Sequence, residues 1–252
     1  MFLVFHKNKI VSIILLIILS VTSIFIFSNK DIQTSATAKK QLPIYMVDTQ
    51  EKKVALTLNC AWANDDISSI LDTLDKYNVK LTFFVVGDWV DKYPESVKQI
   101  YSAGHEIANH SNTHPHVNKL SYEQNINEIN SCSNKVKNIT GKPTTLYRGP
   151  YGEYNNTVIE AANSTNHQAI QWNIDTLDYK GLTKEEMYNR IEKNLCPGSI
   201  ILMHSGAENT ANALPYIIEK LIEKKNEIVT VSDLIYTDNF YIDIQGKQKL
   251  FN

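Results

Sequence analysis

His110 and His114 are the side chains of this chain best suited to chemistry. They lie in HEIANHSNTHPH, residues 105–116, which holds four of the seven histidines. On a helical turn, residues four apart face the same way, with Cβ atoms roughly 5–6 Å apart. Two such imidazoles can share one cation, and a third oxygen or nitrogen donor would leave a coordination position open for water. The same spacing also arises in a polar loop that is merely rich in histidine. His105, inside an expected strand, and His116, beyond the turn, read as structural.

Other ionisable groups follow other apolar runs. Asn59-Cys60-Ala61-Trp62-Ala63-Asn64-Asp65-Asp66 comes after KKVALTL, and Arg148-Gly149-Pro150-Tyr151-Gly152 after TTLY. Asp175 and Asp178 come after HQAIQWNI, and His204 after GSIILM. The elements that must position them alternate along the chain. Short β-branched or apolar runs (KKVALTLN, KLTFFVVG, HEIAN, TTLYRG, HQAIQWNI, GSIILMHS, EIVTVSDLI) read as buried strands. Between them lie segments with apolar residues at helical spacing, such as DDISSILDTLDKYNV. SYEQNINEINSCSNKVKNITG is a helix capped by Ser121 with Gln124 and closed by Gly141. Strands separated by helices imply a parallel sheet of βαβ units. Their number favours a closed or nearly closed (β/α) barrel, in which sites form at the C-terminal ends of strands. The clustering of ionisable residues after the strands carries more weight than any one motif.

The bulk properties narrow the partners. A net charge of −2, with no basic block, argues against nucleic acid. Residues 1–9 form a short N-terminus bearing Lys7 and Lys9, and residues 10–27 (IVSIILLIILSVTSIFIF) are an uncharged apolar run. A helix of that length just crosses a hydrocarbon core of roughly 30 Å. It reads as a transmembrane signal anchor, with a long signal peptide cleaved near Ala36-Thr37-Ala38 as the alternative. Either way the positive flank stays inside and the rest is exported. The expected localisation is therefore the cell membrane, single-pass with an extracytoplasmic domain, or secretion if the signal is cleaved. Residues 28–50 read as a linker, 51–236 as the domain and 237–252 as a short mixed tail. Three cysteines without CxxC spacing imply no disulfide framework. The chain reads as a monomer.

The ordered set HSNTH, RGPYG, DTLD and LMH after VALTL resembles the polysaccharide deacetylases, the NodB-homology enzymes of carbohydrate esterase family 4. The resemblance spans residues 52–235, and CAWANDD is similar to a loop of the family's sporulation-type branch. It implies a distorted (β/α) barrel of the NodB-homology type. It also implies metal-dependent removal of N-acetyl groups from amino sugars, with cell-wall glycan, peptidoglycan above all, as partner. The implied cofactor is a divalent metal, Zn²⁺ or alternatively Co²⁺, bound by two histidines and an aspartate. By position His110 and His114 are the histidine ligands, and Arg148 orients the catalytic carboxylate. The Tyr151 N–H faces the oxyanion, and Asp175 holds His204 as general acid. Amide hydrolysis needs an activated water, a stabilised oxyanion and a proton for the leaving amine, which a metal and a carboxylate-tuned histidine would supply.

The first motif departs from the family's pattern. Where the family has Thr-Phe-Asp-Asp, with the base first and the metal ligand second, this chain has Thr57-Leu58-Asn59-Cys60. An amide cannot serve as the base. Three readings follow. Asp65 (or Asp66) returns from the loop as third ligand, against the plain alternative that both cap the next helix; or Cys60 is the ligand; or the site binds glycan without hydrolysing it. Trp62 suits either a sugar-binding groove or the core, and Asp178 either a supporting acid behind the site or a turn former, the turn being favoured.

Overall fold

The computed structural model describes residues 40–251. These residues belong to one compact unit that begins at Lys40. The apolar run at residues 10–27 lies outside the described residues. Among the described residues no helix is long and apolar enough to cross a membrane.

Eleven strands occur among the described residues. They are β1 (Met46–Val47), β2 (Lys53–Cys60), β3 (Thr82–Val85), β4 (Glu106–Asn109), β5 (Leu146–Tyr147) and β6 (Gln168–Ala169). Then follow β7 (Ile174–Asp175), β8 (Ile200–His204), β9 (Glu227–Val229), β10 (Phe240–Ile242) and β11 (Lys247–Leu250). The α-helices between them are α1 (Ile67–Lys76), α2 (Gly87–Lys92), α3 (Pro94–Ser102), α4 (Tyr122–Thr140) and α5 (Asn156–Ser164). The last three are α6 (Lys184–Asn194), α7 (Thr210–Glu223) and α8 (Val231–Leu234).

The main sheet runs β6-β5-β4-β3-β2-β8-β7, with β9 also beside β2, and all its pairings are parallel. This is the expected βαβ architecture, but as a half barrel. The edge strands β6 and β7 do not pair with each other. The run HQAIQWNI, which reads as one strand, is two. Its first half sits at one edge of the sheet and its second half at the other, because residues 170–173 cross the opening. Ile44 bridges to Ile170 there, and the Gln171 N–H donates to the Ile44 carbonyl at 2.7 Å. The apolar–polar alternation Ile170-Gln171-Trp172-Asn173-Ile174 runs straight through the crossing and conceals it.

β2 shows why the strand ends carry the site. Its side chains alternate between the two faces of the sheet. Val54, Leu56, Leu58 and Cys60 pack outward with Ile67, Ile70 and Leu74 of α1 and Leu214 and Ile217 of α7. Ala55 faces the other way, into a smaller core with Phe84, Ala108 and Ile200. Thr57 and Asn59 share that inner side, where both meet Arg148.

Two boundaries differ from the sequence reading. Ile44 and Val47, assigned to a linker, are buried in the inner core. The expected mixed tail folds as the β10–β11 hairpin, and β11 pairs in parallel with β1. Gln248 is the buried pin of this small sheet: its side chain accepts from the Tyr236 N–H at 2.8 Å and donates to the Tyr236 carbonyl at 2.7 Å. The hairpin turn requires Gly246, which has φ +79°, and a Cβ there would lie 2.3 Å from the Tyr45 ring.

Candidate active site

The histidine pair sits on a turn, not on the helical turn that its spacing suggested. The ladder continues one bond past β4, from the His110 N–H to the Val85 carbonyl. The chain then turns through two non-glycine residues of positive φ, Ser111 (70°) and His114 (57°). Both sit where side chains are disfavoured, so the loop must be held. Asn109 accepts from the Ser111 N–H at 2.9 Å. Glu128 on α4 accepts from the Ser111 hydroxyl (2.6 Å), the Asn112 and Thr113 N–H groups (2.9 Å each) and the Thr113 hydroxyl (3.0 Å). Burial alone would raise the Glu128 carboxyl; its donors hold it below the usual carboxylate range. The result brings the two rings to 5.0 Å between centroids, at 78°.

The pair is electrostatically suited to donate lone pairs. The His110 Nδ1 lies 2.7 Å from the Arg148 carbonyl, which can only accept, so Nδ1 carries the proton and Nε2 is left as a donor atom. Burial, then the neighbouring His114, holds His110 well below the ordinary imidazole range; burial also lowers His114. Both are neutral at pH 7.

Asn59 and Arg148 form the opposite wall. Arg148 is fully buried, its guanidinium 3.8 Å from the Phe84 ring centroid. It donates to the Thr57 hydroxyl (2.9 Å), the Asn59 Oδ1 (3.0 Å) and the Gln171 carbonyl (3.1 Å), while its Nε has no partner. Among the described residues no carboxylate pairs with it, and burial pushes it down to about 9. The expected carboxylate partner is thus replaced by an amide oxygen.

His204, at the end of β8, is opposite Asn59 in the β2–β8 register. Its Nδ1–H donates to Asp178 Oδ1 at 2.9 Å, and the Thr210 hydroxyl donates to Asp178 Oδ2 at 2.7 Å. The Asp178 Oδ2 also accepts from the His204 N–H. This corrects two assignments. Asp178, read as a turn former, is the fully buried partner of His204. Asp175 instead accepts from the Leu177 N–H at 2.8 Å, closing a local turn. The two acids are three residues apart, and Leu177 at φ 54° turns the second one inward; no feature of the sequence marks that reversal. Trp62 stacks on the His204 ring (5.2 Å, 20°) and Tyr179 meets it edge-on (5.3 Å, 88°). With 49% and 47% exposure, both rings stand at the surface beside His204, so Trp62 is not a core residue.

Tyr151 has φ 59° and is 61% exposed. In its turn the Gly152 and Glu153 N–H groups bond back to Gly149 and Pro150, leaving the Tyr151 N–H outside that pattern. Its ring stacks on His116 (4.5 Å) and meets His114 edge-on (4.6 Å). His116 in turn contacts Glu153 at 2.7 Å. His105 is structural as expected, its Nδ1 accepting from the Leu81 N–H.

A metal at the pair would find two donors that fit and lack a third. Cys60 points into the outer core, which takes it away from the inner face of β2 as a ligand, and burial there pushes its thiol up to about 12. Asp65 is exposed, and among the described residues no three His, Cys, Asp or Glu side chains converge on a metal position. Asp66, the other loop acid, turns instead to the Gly206 N–H at 2.7 Å, tying its loop to the segment after His204.

The architecture is that of an α/β half barrel whose strand ends carry a histidine pair and a buried-acid histidine dyad. A sequence model described as polysaccharide deacetylase matches residues 46–170. A peptidoglycan-N-acetylglucosamine deacetylase of Bacillus cereus is 33% identical over 189 residues, 73% of this chain and 69% of that protein. A peptidoglycan-N-acetylmuramic acid deacetylase of Bacillus subtilis, PdaA, is 30% identical over 208 residues, covering 81% and 79% of the two chains. The crystal structure of a CE4 family pseudoenzyme from Bacillus anthracis superposes with a TM-score of 0.74 at 32% identity, over 76% of this chain and 68% of that one. A mutant of that pseudoenzyme is described as having restored enzymatic activity. This chain belongs to the polysaccharide deacetylase family.

Proposed function

We propose that this chain deacetylates N-acetylated amino sugars of cell-wall glycan, with peptidoglycan as substrate. The observation that carries the reading is the His204–Asp178 dyad on the same strand-end surface as the His110–His114 pair. The relatives that are peptidoglycan deacetylases support it. A divalent metal such as Zn²⁺, held by His110 and His114, supplies Lewis acidity and a water of lowered pKa when bound. The chain's own groups do the rest. Asp178 accepts from the His204 Nδ1–H and stabilises the imidazolium that forms when Nε2 takes up the proton given up by the attacking water; Nε2–H then passes that proton to the leaving amine. The Tyr151 N–H meets the developing oxyanion. Trp62 and Tyr179 flank the sugar. Asp65, on the exposed loop after β2, would be the chain's third donor to the metal, with a water as the alternative. Residues 10–27 anchor the chain in the membrane with this domain on the extracytoplasmic side, where spore or vegetative wall is remodelled, and the protein works as a monomer.

A second reading has its own observation. Asn59 cannot accept a proton, and Cys60 faces the core, so the domain binds glycan without hydrolysing it, in the manner of a pseudoenzyme. One assay separates the two. Residues 40–252, loaded with Zn²⁺ or Co²⁺, are incubated with chitooligosaccharides and with peptidoglycan, and acetate release is measured. Release that depends on His110 and His204 supports the first reading; bound metal and bound glycan without release supports the second.

A further inference from the structure

Eight large apolar or aromatic side chains are exposed among the described residues. Three of them, Trp62, Tyr151 and Tyr179, surround the histidines of the site. Four of the other five, Tyr241, Ile244, Leu250 and Phe251, belong to the final hairpin or the residue after it. Ile244, in the turn, is 92% exposed, and the Tyr241 and Phe251 rings lie 5.0 Å apart between centroids. The small sheet's own packing does not use them: Gln248 and Ile242 are the residues that face inward from these strands. An exposed apolar group of this kind marks a contact surface.

The hairpin's place in the chain says what it meets. The Lys40 ammonium, at the first described residue, lies 5.5 Å from the Tyr154 ring. Tyr154 meets Tyr45, with ring centroids at 6.3 Å and hydroxyls at 3.1 Å. The Tyr45 N–H donates to the Gly246 carbonyl at 2.8 Å, in the turn that carries Ile244. Only residues 28–39 separate Lys40 from the apolar run at residues 10–27. A chain of that length spans at most about 40 Å. A bilayer holding the apolar run is therefore within reach of the turn. Charge does not oppose the approach, because Lys249 pairs with Asp243 (3.0 Å) and Lys247 with Asp48 (3.6 Å).

We infer that the β10–β11 hairpin is a membrane-contact element, in which Ile244 and the Tyr241–Phe251 pair enter the headgroup boundary of a lipid bilayer. Aromatic and branched apolar side chains are the ones that favour that boundary. So few side chains bind lipid weakly, but a tether makes the contact intramolecular, and a small affinity then suffices. The inference rests on the reading of residues 10–27 as a membrane anchor.

The test is maleimide labelling of Ile244→Cys in a Cys196→Ser background, since Cys60 and Cys132 are buried. Residues 28–252, which include the whole compact unit, carry a synthetic lipid anchor at their N-terminus on phosphatidylcholine vesicles. The same chain without the anchor is the free reference. Labelling on the vesicles is expected to be about tenfold slower, the protection given when roughly nine hairpins in ten are docked. Glu185→Cys, an exposed position on α6, should label equally in both forms. Adding Phe251→Glu, at an exposed side chain, should return Ile244→Cys to the free rate. Salt at about 1 M should not, because the contact is apolar. Equal labelling of Ile244→Cys with and without the anchor overturns the inference. So does protection that requires anionic lipid and disappears in salt. Protection that appears in solution as protein concentration rises assigns the hairpin to a second copy of the chain and overturns it as well. Flotation of the full chain with vesicles scores the anchor reading by itself. Failure there removes the anchor, while the synthetic tether still decides whether the hairpin binds lipid.

Discussion

The two walls of the groove contrast. On the β8 side, His204 is complete: a buried acid fixes its tautomer, a threonine hydroxyl fixes the acid, and two aromatic rings frame the imidazole. On the β2 side, Asn59 meets a buried guanidinium with an amide, and Cys60 faces the wrong layer. Identical strand geometry positions both walls. The difference therefore lies in side-chain chemistry alone, and a single residue can be exchanged without disturbing the frame that holds it.

The largest effect should come from breaking the intact wall. Asp178→Ala leaves His204, its N–H and the Thr210 hydroxyl without their common acceptor, at a cost of about 3 kcal/mol. Acetate release should fall by roughly 10²–10⁴. Asp175→Asn, measured by the same denaturation and release assays, should do little, and equal losses would return the dyad to Asp175. Next, Asn59→Asp makes the two walls alike. A carboxylate opposite Arg148 should raise acetate release by about 10² or more. An unchanged rate in a folded variant would mean that the defect lies in the missing third ligand.

Glu128→Ala acts between the walls, on the turn that bears the pair. It removes the acceptor of four donors and should cost about 2–3 kcal/mol, with faster hydrogen exchange at the Asn112 and Thr113 amides. Slow exchange in the variant would show that Asn109 holds the turn unaided. His105 provides a control remote from both walls. Burial, then Lys80, lowers its pKa from 6.5 to about 4. Between those values the unfolded chain binds a proton that the folded one does not, so stability is full above pH 6.5 and falls as pH drops toward 4. His105→Gln should flatten about 2 kcal/mol of that slope in urea titrations. Smallest of all, Cys60→Ala should cost about 1 kcal/mol and leave metal binding untouched; weakened metal binding would restore Cys60 as a ligand.

Much of this was legible in the sequence, for physical reasons. Apolar runs separated by periodic helices dictate parallel βαβ units, and the capping pair Ser121–Gln124 and the closing Gly141 bound α4 as read. Residues directly after strands were placed at one end because parallel strands all point there. The failures are of another kind. Which of Asp175 and Asp178 reaches His204 depends on one left-handed residue, Leu177. Whether Cys60 faces the pair or the core depends on strand parity, which the alternation of VALTLNC already contains: Asn59 and Cys60 must diverge. The role of Glu128 is invisible because its four donors lie on another element, brought near only by packing. The hairpin at residues 240–250 is hard to read because its strands are only three and four residues long and β11 is mostly polar, although Gly246 marks its turn.

That hairpin carries a further consequence. β1 finds its ladder partner only in residues 247–250, and β2 is flanked by β8 and β9 from the last third of the chain. During synthesis the first half of the domain therefore emerges with its central strand lacking one side. The main sheet waits for β8 and β9, at residues 200–229, and the small sheet for β11, at residues 247–250, and non-local pairing of this kind is slow. Deleting β11 should leave β1 without its ladder partner and yield a chain that proteases clear more readily than the intact one.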